Sequence, residues 1–213
     1  MKIVVFSDVH GNLPALQIML NEEDTAGGYI CLGDTVDYGP WSNECVDLVL
    51  SLPNCNFVKG NHEQYFVDGQ FDSTNPMAKL FFDVCYPTFT NQQKIQNLPE
   101  TYTLNGFKFQ HTIGKQNIYP DTDIKLDGNY VIGHSHHQFK LEQPPFVLYN
   151  AGSVGQNRKY INVINYLTLE SDTMNFNMKS IIYDIQPVIK EMISRNYPSE
   201  CIAYYEGKEI LTN

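Results

Sequence analysis

Positive charge is scarce in this 213-residue chain. Fourteen Lys and Arg stand against 24 Asp and Glu, for a formal net charge of -10, and only Arg158 and Arg195 are arginines. A general duplex nucleic-acid surface is thereby excluded, because backbone binding needs a stripe of cations to release counterions. Bound metal ions could still supply local positive charge for phosphate chemistry. Cysteine is sparse and unpatterned: Cys31, Cys45, Cys55, Cys85 and Cys201 form no C-x-x-C pair and total an odd number. Free thiols in a reducing cytoplasm fit this better than a disulfide framework. No apolar run approaches the roughly 18 residues of a membrane span, so no membrane partner is expected. The opening "MKIVVFSDVHGN" has too short an apolar stretch for a secretory signal and reads as a first strand.

What is present fits a folded protein: 42% hydrophobic and 18% charged residues, with 12 Phe and 14 Tyr for packing. The length predicts a single domain over 1–213. "KIVVFS", "GGYICLGD" and "CNFVKGN" are buried-strand runs. Helical patterns lie between them, the first capped by Asn12 with Pro14 in its opening turn, the second capped by Ser42. This strand and helix alternation predicts parallel βαβ units. From about 63 to 100 the pattern becomes helical or irregular and aromatic-rich, a cap-like excursion. Short strand-like runs follow from "TYTL" to "TMNFNMKSIIY" and predict a second, more antiparallel sheet. "DIQPVIKEMISRN" predicts a late helix with Val188, Ile189, Met192 and Ile193 inward. The fold class expected is therefore α/β, two facing sheets with helices outside.

Each early strand ends in polar residues: Asp8 and His10, then Asp34 and Asp37, then Asn61, His62 and Glu63. The carboxyl ends of neighbouring parallel strands form a crevice, so these residues are expected to converge. The second half adds His111, His134 and His136 at further strand ends. In an extended segment i and i+2 project to one side, which would let Asp8 with His10, and His134 with His136, each grip one ion. Mixed nitrogen and oxygen donors without thiolate suit Mn, Fe, Zn, Co or Ni.

The ordered motifs "SDVHGN", "LGDTVDYG", "KGNHE", "FQHT" and "GHSHH", with "NAGSVGQ" after them, resemble the calcineurin-like metallophosphoesterases, in particular the compact bacterial and archaeal phosphodiesterase-like branch. The resemblance implies a four-layer α-β-β-α sandwich and two divalent transition metal ions, Mn²⁺ first among them. It places Asp8, His10 and His136 on one ion, Asn61, His111 and His134 on the other, and Asp34 between them. Cations about 3.5–4 Å apart need such a shared anion, and a bridging hydroxide would attack phosphorus in line. The resemblance also implies that His62 contacts the phosphate and protonates the leaving oxygen, that Asn61 also touches substrate, and that Asp37 orients His62. Glu63 and His137 receive no role.

The expected partner is a small phosphate ester or nucleotide. Tyr38 and Trp41, with the aromatics of 63–100, could stack on a base, which makes a dinucleoside polyphosphate one specific form. Arg158 is a candidate for a distal phosphate. Tyr38 stands where the serine/threonine phosphatases carry arginine, which argues against a protein phosphatase; a phosphomonoesterase is a further alternative. An inactive protein-binding scaffold of the same fold is the other alternative, and the presence of His62 argues against it.

Overall fold

Along β1 (Lys2–Phe6) Ile3 and Val5 face one apolar cluster while Val4 and Phe6 face another, so the strand is buried on both sides. That two-residue alternation places β1 at the centre of a layered structure. The computed structural model describes residues 1–114 and 116–212. After β1 come α1 (Leu13–Glu22), β2 (Gly28–Cys31), α2 (Ser42–Ser51) and β3 (Cys55–Phe57). The three strands are parallel, with Val5 opposite Ile30 and Ile30 opposite Asn56. Asn12 caps α1 as its sequence predicts, its Oδ1 accepting the Ala15 N–H at 3.1 Å. Ser42 does not cap α2. Trp41 holds that position, and Ser42 Oγ accepts the Asp37 N–H at 3.0 Å, bracing a loop at the strand ends.

Residues 61–95 form α3 (Asn61–Asp68), α4 (Pro76–Cys85), a 3₁₀ turn at Tyr86–Thr88 and α5 (Gln92–Ile95). The second sheet follows with β4 (Thr101–Leu104), β5 (Phe107–Gln110), β6 (Asn129–Ile132), β7 (Gln138–Gln143) and β8 (Phe146–Ala151), in the order β4-β5-β6-β8-β7. It is mixed: β5, β6 and β8 run parallel, while β4 and β7 are antiparallel edges. β9 (Val163–Glu170) and β10 (Asn175–Ile182) do not extend it. They return to the first sheet, β9 antiparallel to β1 with Val5 opposite Leu167, giving the order β10-β9-β1-β2-β3. The reason is that β2 covers only one edge of β1, and the apolar, two-faced β9 closes the other.

Between the sheets lie Ile3, Val5, Ile30, Leu32 and Val58 from one side and Phe107, Phe109 and Val131 from the other. The outer face of the first sheet packs on helices, through Leu16 and Met19 of α1 and Val46 and Val49 of α2. α6 (Gln186–Ser194) and α7 (Ser199–Glu206) join that layer through Val188, Met192 and Tyr205. Ile193 is 53% exposed, so the inward stripe of α6 stops at Met192. Ile118 and Leu126 pack on Tyr130, Ile132 and Leu148 at the outer face of the second sheet. Among the described residues no helix is long and apolar enough to cross a membrane.

Candidate metal centre

The loops leaving the carboxyl ends of the strands are stitched to one another. Asp8 N–H donates to Gly33 O at 3.0 Å and His10 N–H to Asp34 O at 3.0 Å, joining the loops after β1 and β2. Gly133 N–H donates to His111 O at 3.0 Å, joining those after β5 and β6. The segment after β8 closes the ring, with Gly155 N–H on Asp8 O at 3.0 Å. Two glycines admit carboxylates that any side chain would displace: a Cβ at Gly60 would lie 2.2 Å from Asp34 Oδ1, and one at Gly133 would lie 2.5 Å from Asp8 Oδ2.

Asp8, His10, Asp34, Asp37, His134 and His136 all have positive φ, between 48° and 75°. Their side chains therefore converge from left-handed turns, not as neighbours on an extended segment. This local geometry costs of order 1–3 kcal/mol per residue, and strain of that kind concentrates at functional sites. The hydrogen bonds between loops hold it in place.

Three imidazoles have Nδ1 tied to a main-chain carbonyl: His10 to Val36 O at 3.1 Å, His111 to Leu32 O at 2.8 Å and His136 to Gln156 O at 2.7 Å. A carbonyl only accepts, so each Nδ1 carries the proton and a neutral ring presents a lone pair at Nε2. Those lone pairs face other acceptors. His10 Nε2 is 3.1 Å from His136 Nε2, and the buried Asp8 Oδ1, which has no hydrogen-bond partner, is 3.1 Å from His136 Nε2. His111 Nε2 lies 3.0 Å from each of Asp34 Oδ2, Asn61 Oδ1 and His134 Nδ1. Acceptors packed against acceptors in a buried site repel unless positive charge lies among them. The donor set is nitrogen and oxygen in two groups, Asp8 with His10 and His136, and Asp34 with His111 and His134; a third combines Asp34 with His10 and His62. It fits divalent transition metals.

The electrostatics agree. Burial pushes the pKa of His134 down to about 4 and that of His136 to about 3, keeping both as lone-pair donors. For His111 burial opposes charge, but the adjacent Asp34 outweighs it and raises the pKa to about 10. Without metal, a proton shared with Asp34 thus supplies the missing positive charge there. His62 Nδ1 donates to Asp37 Oδ2 at 2.8 Å, and Asp37 Oδ1 accepts the Tyr38 N–H at 2.7 Å. Burial works against protonation of His62, and the carboxylates of Asp34 and Asp37 overcome it, so its pKa is raised.

His137 is turned away from these groups. Its Nδ1 meets Ser135 O at 2.7 Å and its ring lies edge-on to Tyr119 at 5.3 Å. Glu63 is fully buried and accepts three main-chain N–H groups, from Asp34 at 2.7 Å, Thr35 at 2.6 Å and Gly60 at 2.9 Å. It joins the loop after β2 to the start of α3. The sequence carries a partial signal for this, because an acid three residues after Gly60 is placed to cap a helix. Tyr205 also escapes motif reading, and Gln156, which ends the "NAGSVGQ" run, receives no role from it. His136 Nδ1 donates to the Gln156 main-chain carbonyl, and the Gln156 side-chain amide donates to the Tyr205 hydroxyl.

The site opens into a cavity of about 1160 Å³, with Asp34, Asn61, His62, His111, His134 and His136 on its floor. Tyr65, Phe71 and the exposed Arg158 line it as well. The calcineurin-like phosphoesterase family profile matches residues 1–155. The chain belongs to this family. It is a metal-dependent phosphoesterase. This phosphoesterase is 31% identical over 230 residues to the uncharacterised protein MJ0912 of Methanocaldococcus jannaschii, covering 92% of this chain and 93% of that one. It is 25% identical over 190 residues to the phosphodiesterase YfcE of Escherichia coli, covering 87% and 97%. The crystal structure of a metallophosphoesterase from Sphaerobacter thermophilus superposes with a TM-score of 0.79 at 23% identity, over 97% of this chain and 98% of that one, and shares the fold.

Proposed function

We propose that the phosphoesterase hydrolyses a phosphodiester or phosphoanhydride in a small, nucleotide-type molecule, using two divalent cations, with Mn²⁺ as the first choice. The observation that carries this reading is two buried donor groups, Asp8 with His10 and His136 and Asp34 with His111 and His134, linked by a third in which Asp34 meets His10 and His62, beside one open cavity lined by Asp34, His62, His111, His134 and His136. Asp8, His10 and His136 would hold one ion; Asn61, His111 and His134 would hold the other; Asp34 would be shared. When bound, the ions would supply Lewis-acid activation of water and of the phosphoryl group. The protein's own groups do the rest. With Nδ1 fixed on Asp37, His62 keeps Nε2 for the substrate, where it binds the phosphate and gives a proton to the leaving oxygen. Asn61 presents its side-chain oxygen toward the same cavity.

Residues 63–100 serve in this reading as a cap within a single domain spanning 1–213. Tyr65 and Phe71, with ring centroids 4.8 Å apart, offer a surface for a nucleobase. Five free thiols, none in a disulfide, support a cytoplasmic setting.

The test compares bis(4-nitrophenyl) phosphate with 4-nitrophenyl phosphate on metal-free protein reloaded with Mn²⁺. Diester hydrolysis is expected. Asp34→Asn should lower metal content and turnover together, whereas His62→Ala should keep the metal and lower turnover by about 10²–10⁴-fold. Failure on every ester with metal demonstrably bound overturns the reading.

A further inference from the structure

Among the described residues, five Lys and Arg side chains have a carboxylate within ion-pair distance: Lys2, Lys79, Lys94, Lys140 and Arg195. Lys2 pairs with Glu23, Lys94 with Asp47 and Arg195 with Glu191, each at 2.7–2.8 Å. Arg158 differs: among the described residues it has no carboxylate within ion-pair distance, and its Nη1 donates to the neutral hydroxyl of Tyr204 at 3.2 Å. It is exposed, yet it lines the cavity over the metal-ligating groups.

Tyr204, on α7, locates the guanidinium. Its ring is 6.3 Å from that of Tyr38, which in turn stands 4.8 Å from the ring of His10. Arg158 therefore belongs to the His10 and His136 side of the cavity. Lys208 Nζ sits 4.5 Å from the centroid of the Tyr204 ring and adds a second positive charge nearby. The lining also includes Asp68, Asp72 and Glu100, and the rings of Tyr65 and Phe71, which lie 5.6 Å and 6.2 Å from that of His62. The other cation of the lining, Lys59, is already tied to Gln64 Oε1 at 3.3 Å and Gln96 O at 2.7 Å, so Arg158 is the lining cation with an uncommitted fork near His10 and His136.

A guanidinium has five N–H donors in a planar fork, and Tyr204 uses one of them. The remaining fork matches a phosphate bidentately. We propose that Arg158, steadied by Tyr204, is a second anion subsite that takes a non-reacting phosphate of the substrate. The preferred class is then a phosphoanhydride whose charged chain runs from the candidate metal ligands toward Arg158, with the uncharged ring system against Tyr65 and Phe71. A simple diester leaves the subsite unused. This rests on the phosphoesterase reading and narrows it.

AMP and ADP are the probes, titrated calorimetrically at fixed free Mn²⁺ into the wild type, Arg158→Ala, Arg158→Lys and Tyr204→Phe, with thermal melts to confirm folding. Expected is a wild-type preference for ADP over AMP of about 10- to 100-fold, the weight of a charge-assisted hydrogen-bonded pair. Arg158→Ala should bring the ratio to within about twofold, and Arg158→Lys and Tyr204→Phe should fall between. Equal wild-type affinities, or a preference that survives in Arg158→Ala, overturn the subsite even if diesters are hydrolysed. A preference that collapses in Arg158→Ala in a protein that hydrolyses no ester supports the subsite and defeats the hydrolytic reading.

Discussion

Replacing Glu63 by alanine removes the single acceptor of three buried main-chain donors. Its Oε2 takes the N–H groups of Asp34 and Gly60, and its Oε1 that of Thr35. A buried donor left unsatisfied costs roughly 1–3 kcal/mol, and hydrogen bonds to an ionised acceptor lie toward the upper end. Water entering the space left by the side chain recovers part of this. The net expectation is a loss of about 3–5 kcal/mol, a large share of the roughly 5–15 kcal/mol that stabilises a typical domain. Glu63→Gln is gentler. Its one carbonyl oxygen can serve both Oε2 partners, and only the Thr35 N–H then faces an amide NH₂, for about 2–3 kcal/mol. Because Asp34 N–H is among the donors freed in Glu63→Ala, that variant should also weaken metal binding, and Glu63→Gln, which keeps this bond, should do so less. Urea denaturation in the presence of chelator gives the midpoint shifts, which the denaturant slope converts to free energy. A loss below about 0.5 kcal/mol for alanine, the level of an ordinary surface substitution, refutes the reasoning, as does a glutamine variant as unstable as alanine.

Two further predictions reach other parts of the molecule. Tyr205→Phe leaves the Gln156 amide without its hydroxyl partner behind His136, and should lower metal affinity about 10- to 100-fold with the fold intact; an unchanged metal titration removes α7 from support of the site. All five thiols are held protonated: burial disfavours the thiolate and pushes Cys55 and Cys201 up to about 12, and Cys31, Cys45 and Cys85 well above the usual thiol value. At pH 8 a thiol with pKa 12 is about 10⁻⁴ ionised, so Ellman's reagent should label none within minutes in native protein and all five in denaturant, and rapid native labelling contradicts this.

The sequence by itself put the candidate donors near strand ends. Asp8, His10, Asp34, His111, His134 and His136 lie just after strands and Asn61 opens α3 after β3, and that position is a local property, readable from apolar runs and the polar residues that stop them. The alternation of strand and helix likewise determined the parallel order of β1, β2 and β3. Tertiary structure alone decided the rest, because it depends on partners far apart along the chain. β9 is a strand in any reading, but only the free edge of β1 directs it to the first sheet. Glu63 looks like an idle acid until the Asp34 and Thr35 amides, 29 and 28 residues earlier, arrive beside it. Tyr205 is 49 residues from Gln156, and no local periodicity links them. The aim of the ligands is of the same kind: left-handed turns at Asp8, His10, His134 and His136 are costly alone, and they persist because hydrogen bonds between loops from different strands hold them.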